Sequence, residues 1–312
     1  MDEMVIGLKD DEKSLSDYRR DLLGRLAQVI GIALDSAFLY NELTLANERL
    51  RELDRLKDEF VSVASHELRT PMTAIKSYLW MALDGQGGAL NEKQKRYVDR
   101  SYKSVDRLIK LVNDMLNISR IDSGRLTVQV QSVDIVQLIR EVLDEVGPRA
   151  TELGVIIKLD QKDKVPPVLA DPDKIKEVVY NLLGNSMKFT TSGGNITIEC
   201  KQNNNMVDVI VKDSGTGISA EDLSKLFQKF GILPGTYVTN KTASGTGLGL
   251  YICKSLLDLH EGKITVTSEG IGKGSTFIFS LRVFTEDEMK KLNEKYKERS
   301  AANVSLVHTQ IT

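Results

Sequence analysis

From Asp17 to about Tyr40 the apolar residues Leu22, Leu23, Leu26, Val29, Ile30, Ile32, Ala33 and Phe38 recur at helical spacing. Ahead of them Met4–Leu8 reads as a strand with no earlier partner, followed by a polar turn and a helix opening near Ser14. Beyond Tyr40 the pattern narrows. Leu39, Leu43, Ala46, Leu50, Leu53, Lys57, Phe60 and Ala64 alternate by four and three, the a/d seam of a parallel coiled coil in which only Lys57 is polar. The helix runs on to about Leu83, where Asp84–Gly88 stops it. Asn91 then caps a second long amphipathic helix carrying Val98, Tyr102, Val105, Leu108, Ile109, Val112, Met115, Leu116 and Ile121. Two such helices make a hairpin that cannot bury both of its apolar stripes alone, so two hairpins are expected to pair as a four-helix bundle.

After Asp122-Ser123-Gly124 the texture becomes mixed. Strands are expected at 126–130, 155–159, 195–201, 206–212, 263–268 and 275–283. Helices are expected over 133–153, over 172–188 behind the Asp171-Pro172 start, from a Ser219/Asp222 capping box to about Phe230, and up to about His260. Without regular βαβ alternation, this predicts an α/β sandwich with helices on one face of a mixed sheet.

The 312 residues suggest about two domains. With 42 Lys plus Arg against 44 Asp plus Glu, there is no basic excess to drive nucleic-acid binding. Two cysteines give neither a disulfide framework nor a thiolate zinc site, which fits a reducing, cytoplasmic setting. His66, His260 and His308 are too scattered for a helical metal pair. No uninterrupted apolar run approaches the roughly 18 residues of a membrane span, so no membrane segment is expected in this chain.

Candidate chemistry lies in two places. In FVSVASHELRTP (Phe60–Pro71), Pro71 lacks the N–H that would bond the Glu67 carbonyl, so the helix is expected to loosen beside His66. Neutral imidazole can attack an electrophile if its tautomer is fixed, and Glu67 is an acceptor placed to fix it. Thr70 lies one turn on, on the same face. Alone, His66 reads equally as a solvated helix-surface histidine. In NLLGNSMKF (Asn181–Phe189), Asn181, Asn185 and Lys188 share one helical face. Amide oxygens suit Mg²⁺ and Lys188 suits phosphate, although a polar surface stripe has the same pattern. DSGTGI (Asp213–Ile218) follows a strand, and its carboxylate can only accept hydrogen bonds, as reading an adenine amine requires. GTGLGL (Gly245–Leu250) precedes a helix, where exposed N–H groups cradle phosphate. It matches neither the dinucleotide GxGxxG nor a P-loop.

Taken in order, SHELRTP, NLLGNSMKF, DSGTGI, LFQKF and GTGLGL resemble the five signature boxes of sensor histidine kinases of two-component systems, over about residues 58–284. The resemblance implies a multidomain α plus α/β protein in which a dimeric four-helix-bundle hairpin precedes an ATP-binding α/β sandwich of the GHKL type. It implies a truncated GAF-like end over 1–40, a coiled-coil signalling helix over 41–57, and a dimerisation and phosphotransfer domain over 58–124. A catalytic domain over 125–284 and a tail over 285–312 complete it. Box by box, it makes His66 the phosphoacceptor, Glu67 its proton-transfer carboxylate and Thr70 the residue that places water for dephosphorylating a partner. Asn181 and Asn185 match Mg²⁺-associated asparagines, Lys188 a phosphate contact, and Phe189 and Phe230 residues near the nucleotide. Asp213 matches the adenine reader, Gly215 and Gly217 its turn, and Gly245, Thr246, Gly247, Leu248 and Gly249 the hinge and phosphate cradle. Thr276 matches a threonine near the adenine. ATP and Mg²⁺ are the implied cofactors; the partners are a second copy of the chain and a response-regulator receiver domain.

One departure stands out. Many members carry an Arg shortly after the second Phe of the F box; this chain has Phe230-Gly231-Ile232-Leu233, and the segment to residue 244 offers Lys241 as its only cation. Two alternatives follow: a nucleotide-binding signalling scaffold with weak kinase activity, or a protein acting mainly as a phosphatase of the regulator through Thr70. The sequence reads as a piece of a longer sensor, possessing one histidine proposed to do chemistry.

Overall fold

A computed structural model describes residues 2–124, 126–161, 163–231, 246–292 and 294–296. The chain divides into two units, residues 1–60 and 61–312. Helix α1 (Asp2–Leu83) belongs to both. Its backbone is helical across residues 4–8, which overturns the expected strand. A lone strand leaves its amides unpaired, whereas a helix satisfies them within the segment. In the first unit, Leu39, Leu43, Leu50, Leu53 and Phe60 are all exposed, the condition of a seam awaiting a partner helix. Mean hydropathy reaches 1.3 over an 18-residue window within Gln28–Leu83, none of it buried. The expectation of no membrane segment therefore holds for uninterrupted runs only; by length and composition this window qualifies as a span.

In the second unit α1 continues through Pro71 and ends at Leu83. Helix α2 (Glu92–Asp122) starts at a complete capping box: Asn91 accepts from the Gln94 N–H while the Gln94 side chain accepts from the Asn91 N–H. The hairpin is tied by Lys76–Asp106 at 2.5 Å and by Arg69 donating to Asn113 at 2.8 Å.

The rest follows as β1 (Gln131–Val133), α3 (Ile135–Glu152), β2 (Ile156–Leu159), β3 (Val168–Ala170), α4 (Pro172–Phe189), β4 (Asn195–Asn203), β5 (Met206–Asp213), α5 (Ala220–Leu223), α6 (Gly249–Leu259), β6 (Lys263–Thr267) and β7 (Ser275–Arg282). Five strands form one mixed sheet in the order β2-β4-β5-β7-β6, with β2 and β4 parallel and the other pairs antiparallel. Alternation decides its faces. Ile196, Ile198 and Cys200, Val207, Val209 and Val211, and Phe277, Phe279 and Leu281 are buried, in one core with Leu182 and Leu183 of α4 and Ile252 and Leu256 of α6. Each of these side chains contributes about 1.5–3 kcal/mol by leaving water, and together they fix the helices that carry the site.

Two expected boundaries move. Val128 and Val130 are buried as their alternation implies, but the ladder begins only at Gln131, opposite the unanticipated β3. Upstream, the Gln129 N–H donates to the Asp171 carboxylate rather than to a strand. The helix expected to reach Phe230 is a single turn, α5; beyond it the backbone bonds span three residues, as from Gln228 N–H to Lys225 C=O, and form turns. Residues 286–292 and 294–296 are helical, and Leu292 packs on Val128, Val130 and Leu169.

His260, at the end of α6, is fully buried. Its Nδ1–H donates to Leu256 C=O at 2.6 Å and its Nε2 accepts from the Asp171 N–H at 3.0 Å, so the ring is neutral and ties α6 to the start of α4. Burial lowers its pKa from the ordinary 6.5, with Leu256 C=O and Asp171 opposing and Lys174 reinforcing. The unfolded chain then binds the proton more readily, so stability is full above the ordinary value and falls as pH drops through it. Thermal unfolding is expected to occur at lower temperature near about pH 5.5 than near about pH 7.5, and His260→Gln to flatten that dependence. Equal slopes in both proteins would contradict this role.

Candidate functional site

His66 stands on the open side of α1 with its side chain 77% exposed, and Glu67 is equally exposed. Glu67 Oε1 lies 3.8 Å from His66 Nδ1, beyond hydrogen-bond range. That side holds Nδ1, which leaves Nε2 facing outward. Thr70 Oγ1 donates to the His66 carbonyl at a long 3.4 Å, and Pro71 offers no N–H to the Glu67 carbonyl.

The second set converges on the end of the sheet. Asp213 closes β5 and is 4% exposed. Its Oδ1 accepts from the Gly215 N–H at 2.9 Å and the Ser275 N–H at 3.2 Å, while Oδ2 accepts from Ser275 Oγ at 2.6 Å. Four hydrogen-bonding directions on a carboxylate, three of them used, leave acceptor capacity for one more donor. A Cβ at Gly215 would stand 2.6 Å from the Phe189 carbonyl, and one at Gly217 (φ +68°) 2.0 Å from the Gly270 carbonyl. Both turns therefore require glycine. Ser268 joins the two loops, accepting from the Ile218 N–H and donating to the Gly274 carbonyl.

Asn181, Asn185, Lys188 and Phe189 are half-buried on α4. The Asn181 side-chain oxygen faces the start of α6, 3.2 Å from where a Gly249 Cβ would be. Lys188 Nζ lies 4.8 Å from the Phe189 ring centre, and its pKa is lowered first by burial and then by Lys110. Thr246 Oγ1 accepts from the Leu248 N–H at 3.3 Å; Leu248 is fully buried, and Gly247 takes φ +70°. Leu248 offers no side-chain cap to the first amides of α6. Phe230 is 62% exposed with φ +59°. Gly245, Lys241 and His308 lie outside the described residues. Thr276 is not brought to Asp213. Side chains alternate along β7, so Ser275 shares the buried face with Asp213 and Thr276 turns to the other.

Among the described residues no group of three or more His, Cys, Asp or Glu could hold a metal ion. The donor set instead suits a hard cation with few protein ligands: two amide oxygens one turn apart, with one held at the α6 start. On that ground Asn181 and Asn185 fit Mg²⁺ carried with a polyphosphate.

Residues 56–124 match the His Kinase A (phospho-acceptor) domain, and residues 170–285 match the histidine kinase-, DNA gyrase B- and HSP90-like ATPase. The chain belongs to the histidine kinases. This histidine kinase is 33% identical over 278 residues to the circadian input-output histidine kinase CikA of Synechococcus elongatus, covering 83% of this chain and 36% of that protein. The chain thus spans about a third of that curated relative. Among solved structures it resembles full-length ShkA in complex with AMPPNP, with 30% identity and a TM-score of 0.59 over 72% of this chain and 45% of that one. It also resembles the histidine kinase ThkA in complex with the response regulator TrrA, with 26% identity and a TM-score of 0.52 over 72% and 61% of the two chains.

Several residues of the kinase's site had no motif to announce them. Asp114 of α2, 7% exposed, accepts from Thr246 Oγ1 at 3.0 Å. Asn117 donates to Glu177, one turn before Asn181, at 3.1 Å. Desolvation raises the pKa of both carboxylates; the Thr246 hydrogen bond and then Lys110 oppose it at Asp114, while at Glu177 Lys174 opposes it first, Asp114 reinforces it, and the Asn117 hydrogen bond and Lys110 oppose it further. Ser275 could have been found by placing Asp213 and residue 275 opposite one another on paired strands. Asp114 and Glu177 look like ordinary helix-surface carboxylates until the helices meet. Ser186 is 1% exposed, and its hydroxyl has no partner among the described residues. Ser186→Ala should leave stability unchanged or raise it by about 1 kcal/mol, read from urea unfolding; a comparable loss would show that the hydroxyl is bonded.

Proposed function

We propose that this chain is an ATP:protein-histidine phosphotransferase that phosphorylates His66 and passes the phosphoryl group to an aspartate on a response-regulator receiver domain. The observation that carries the reading is the exposed His66–Glu67 pair in a phospho-acceptor domain, on the same chain as an ATPase-family domain with an acceptor-only pocket at Asp213.

ATP binds with its adenine amine donating to Asp213 and its phosphates toward Asn181, Asn185, Lys188 and the N-terminal amides of α6. Asn181 and Asn185 would hold Mg²⁺, which supplies charge neutralisation on the phosphates. Glu67 accepts the Nδ1 proton's hydrogen bond and keeps the Nε2 lone pair outward. The Nε2 lone pair forms the new N–P bond, the bond from the γ-phosphorus to its bridging oxygen breaks with the electron pair leaving on ADP, and the Nδ1 proton of the resulting imidazolium passes to Glu67. Positioning and charge stabilisation supply most of the rate. The open seam from Leu39 to Phe60 and the hairpin pair with a second copy as a homodimer, over the domain boundaries given above.

ATP labelled at the γ-phosphate, but not at the α-phosphate, is expected to mark the protein with an adduct that acid removes and base preserves. An acid-stable label, or none, would overturn the reading.

A further inference from the structure

Among the described residues, Asp122, Asn117 and Asp114 of helix α2 make polar contacts with the ATPase-like domain. Asp122 accepts from Lys229 Nζ at 2.5 Å and from the Tyr251 hydroxyl at 3.0 Å, Asn117 donates to Glu177 at 3.1 Å, and Asp114 accepts from Thr246 at 3.0 Å. Their order gives a direction. Moving toward the N-terminus of α2, from Asn117 to Asp114, the contact passes from Glu177 to the loop that leads into Gly249, which faces the Asn181 oxygen. One turn further back, on the same face as Asp114, is Lys110. Seven residues along α2 from Asn117, about 10 Å, carry it from the level of Glu177 toward that of Asn185.

The charges agree with this placement. Lys110 depresses Lys188 and favours the ionised forms of Glu177 and Asp114, so it is felt from one end of the polar α4 face to the other. It is exposed, and it has no ion pair or hydrogen bond of its own among the described residues. Lys229, the cation inside the LFQKF box, is already held by Asp122 and Tyr251.

We propose that Lys110 is a phosphate-contacting residue: its ammonium, delivered by the hairpin helix, faces the terminal phosphate of ATP and supplies positive charge in a chain whose segment after Phe230 has no Arg. The inference rests on the reading of the α4 face as an ATP site. It makes catalytic charge conditional on α2 lying against the ATPase-like domain.

The test compares the 312-residue wild-type chain with Lys110→Ala and Lys110→Arg, measuring ATP and ADP affinity by calorimetry and the single-turnover labelling rate. For Lys110→Ala, ADP affinity should stay within about twofold, the preference for ATP over ADP should fall about tenfold, and labelling should slow about a hundredfold. Lys110→Arg should recover most of both losses, since the guanidinium also contacts phosphate. The proposal is overturned if ATP affinity and labelling both stay within about twofold of wild type, or if ADP affinity falls as far as ATP affinity. A wild type that binds neither nucleotide would instead overturn the site reading, and this inference with it.

Discussion

His66→Ala is expected to bind ATP as the wild type does and to carry no phosphoryl label. The side chain is 77% exposed and packs on nothing that its removal would open, so folding should change by no more than about 0.5 kcal/mol. No other described histidine can take its place. His260 is fully buried with both ring nitrogens engaged, one donating to Leu256 C=O and one accepting from the Asp171 N–H. The effect is therefore a complete loss of labelling at unchanged nucleotide affinity, read by filter binding and calorimetry on the same preparation. A labelled His66→Ala protein would remove the chemistry assigned here.

The second large effect is at the opposite end of the reaction. Asp213→Asn keeps the volume of the side chain but replaces an acceptor oxygen by a donor amide. The buried carboxylate already accepts from Gly215 and Ser275, and the adenine amine is assigned its remaining direction. Placing N–H against N–H there costs a charge-assisted hydrogen bond, about 1.5–3 kcal/mol, or roughly ten- to a hundredfold in affinity. Calorimetry should show ADP and ATP weakened in parallel, because the loss lies at the base and not at the phosphates. The preference for ATP over GTP should also narrow, since an amide can donate to the guanine carbonyl. Unchanged ATP affinity in Asp213→Asn would place the base elsewhere.

These two variants probe residues that the sequence marks, while Lys110 probes one that it does not. The distinction has a physical basis. His66, Asn181 and Asp213 sit in short segments whose chemistry is local: a carboxylate next to a histidine, amides one turn apart, an aspartate ahead of two glycines. Helix caps and strand alternation likewise act over a few residues, which is why the Asn91 cap and the 195–212 hairpin are where the pattern puts them. What fails to show is set by pairing at long range. Extended residues 126–130 give their Gln129 amide to Asp171, forty-two positions away, so buried alternation there does not mean a ladder. Thr276 and Ser275 differ only in which face of β7 they occupy, and that follows from the register with β5. Asp114 becomes a buried carboxylate and Glu177 a half-buried one because α2 meets α4 and the loop before α6.

The central claim is that the γ-phosphoryl group of ATP ends on a ring nitrogen of His66. Digestion of the labelled chain under basic conditions, cutting after Lys57 and Arg69, isolates residues 58–69, which also contain Ser62 and Ser65. Fragment masses of that peptide are expected to place the phosphate on His66, whereas phosphate on either serine, or on a different peptide, would contradict the account.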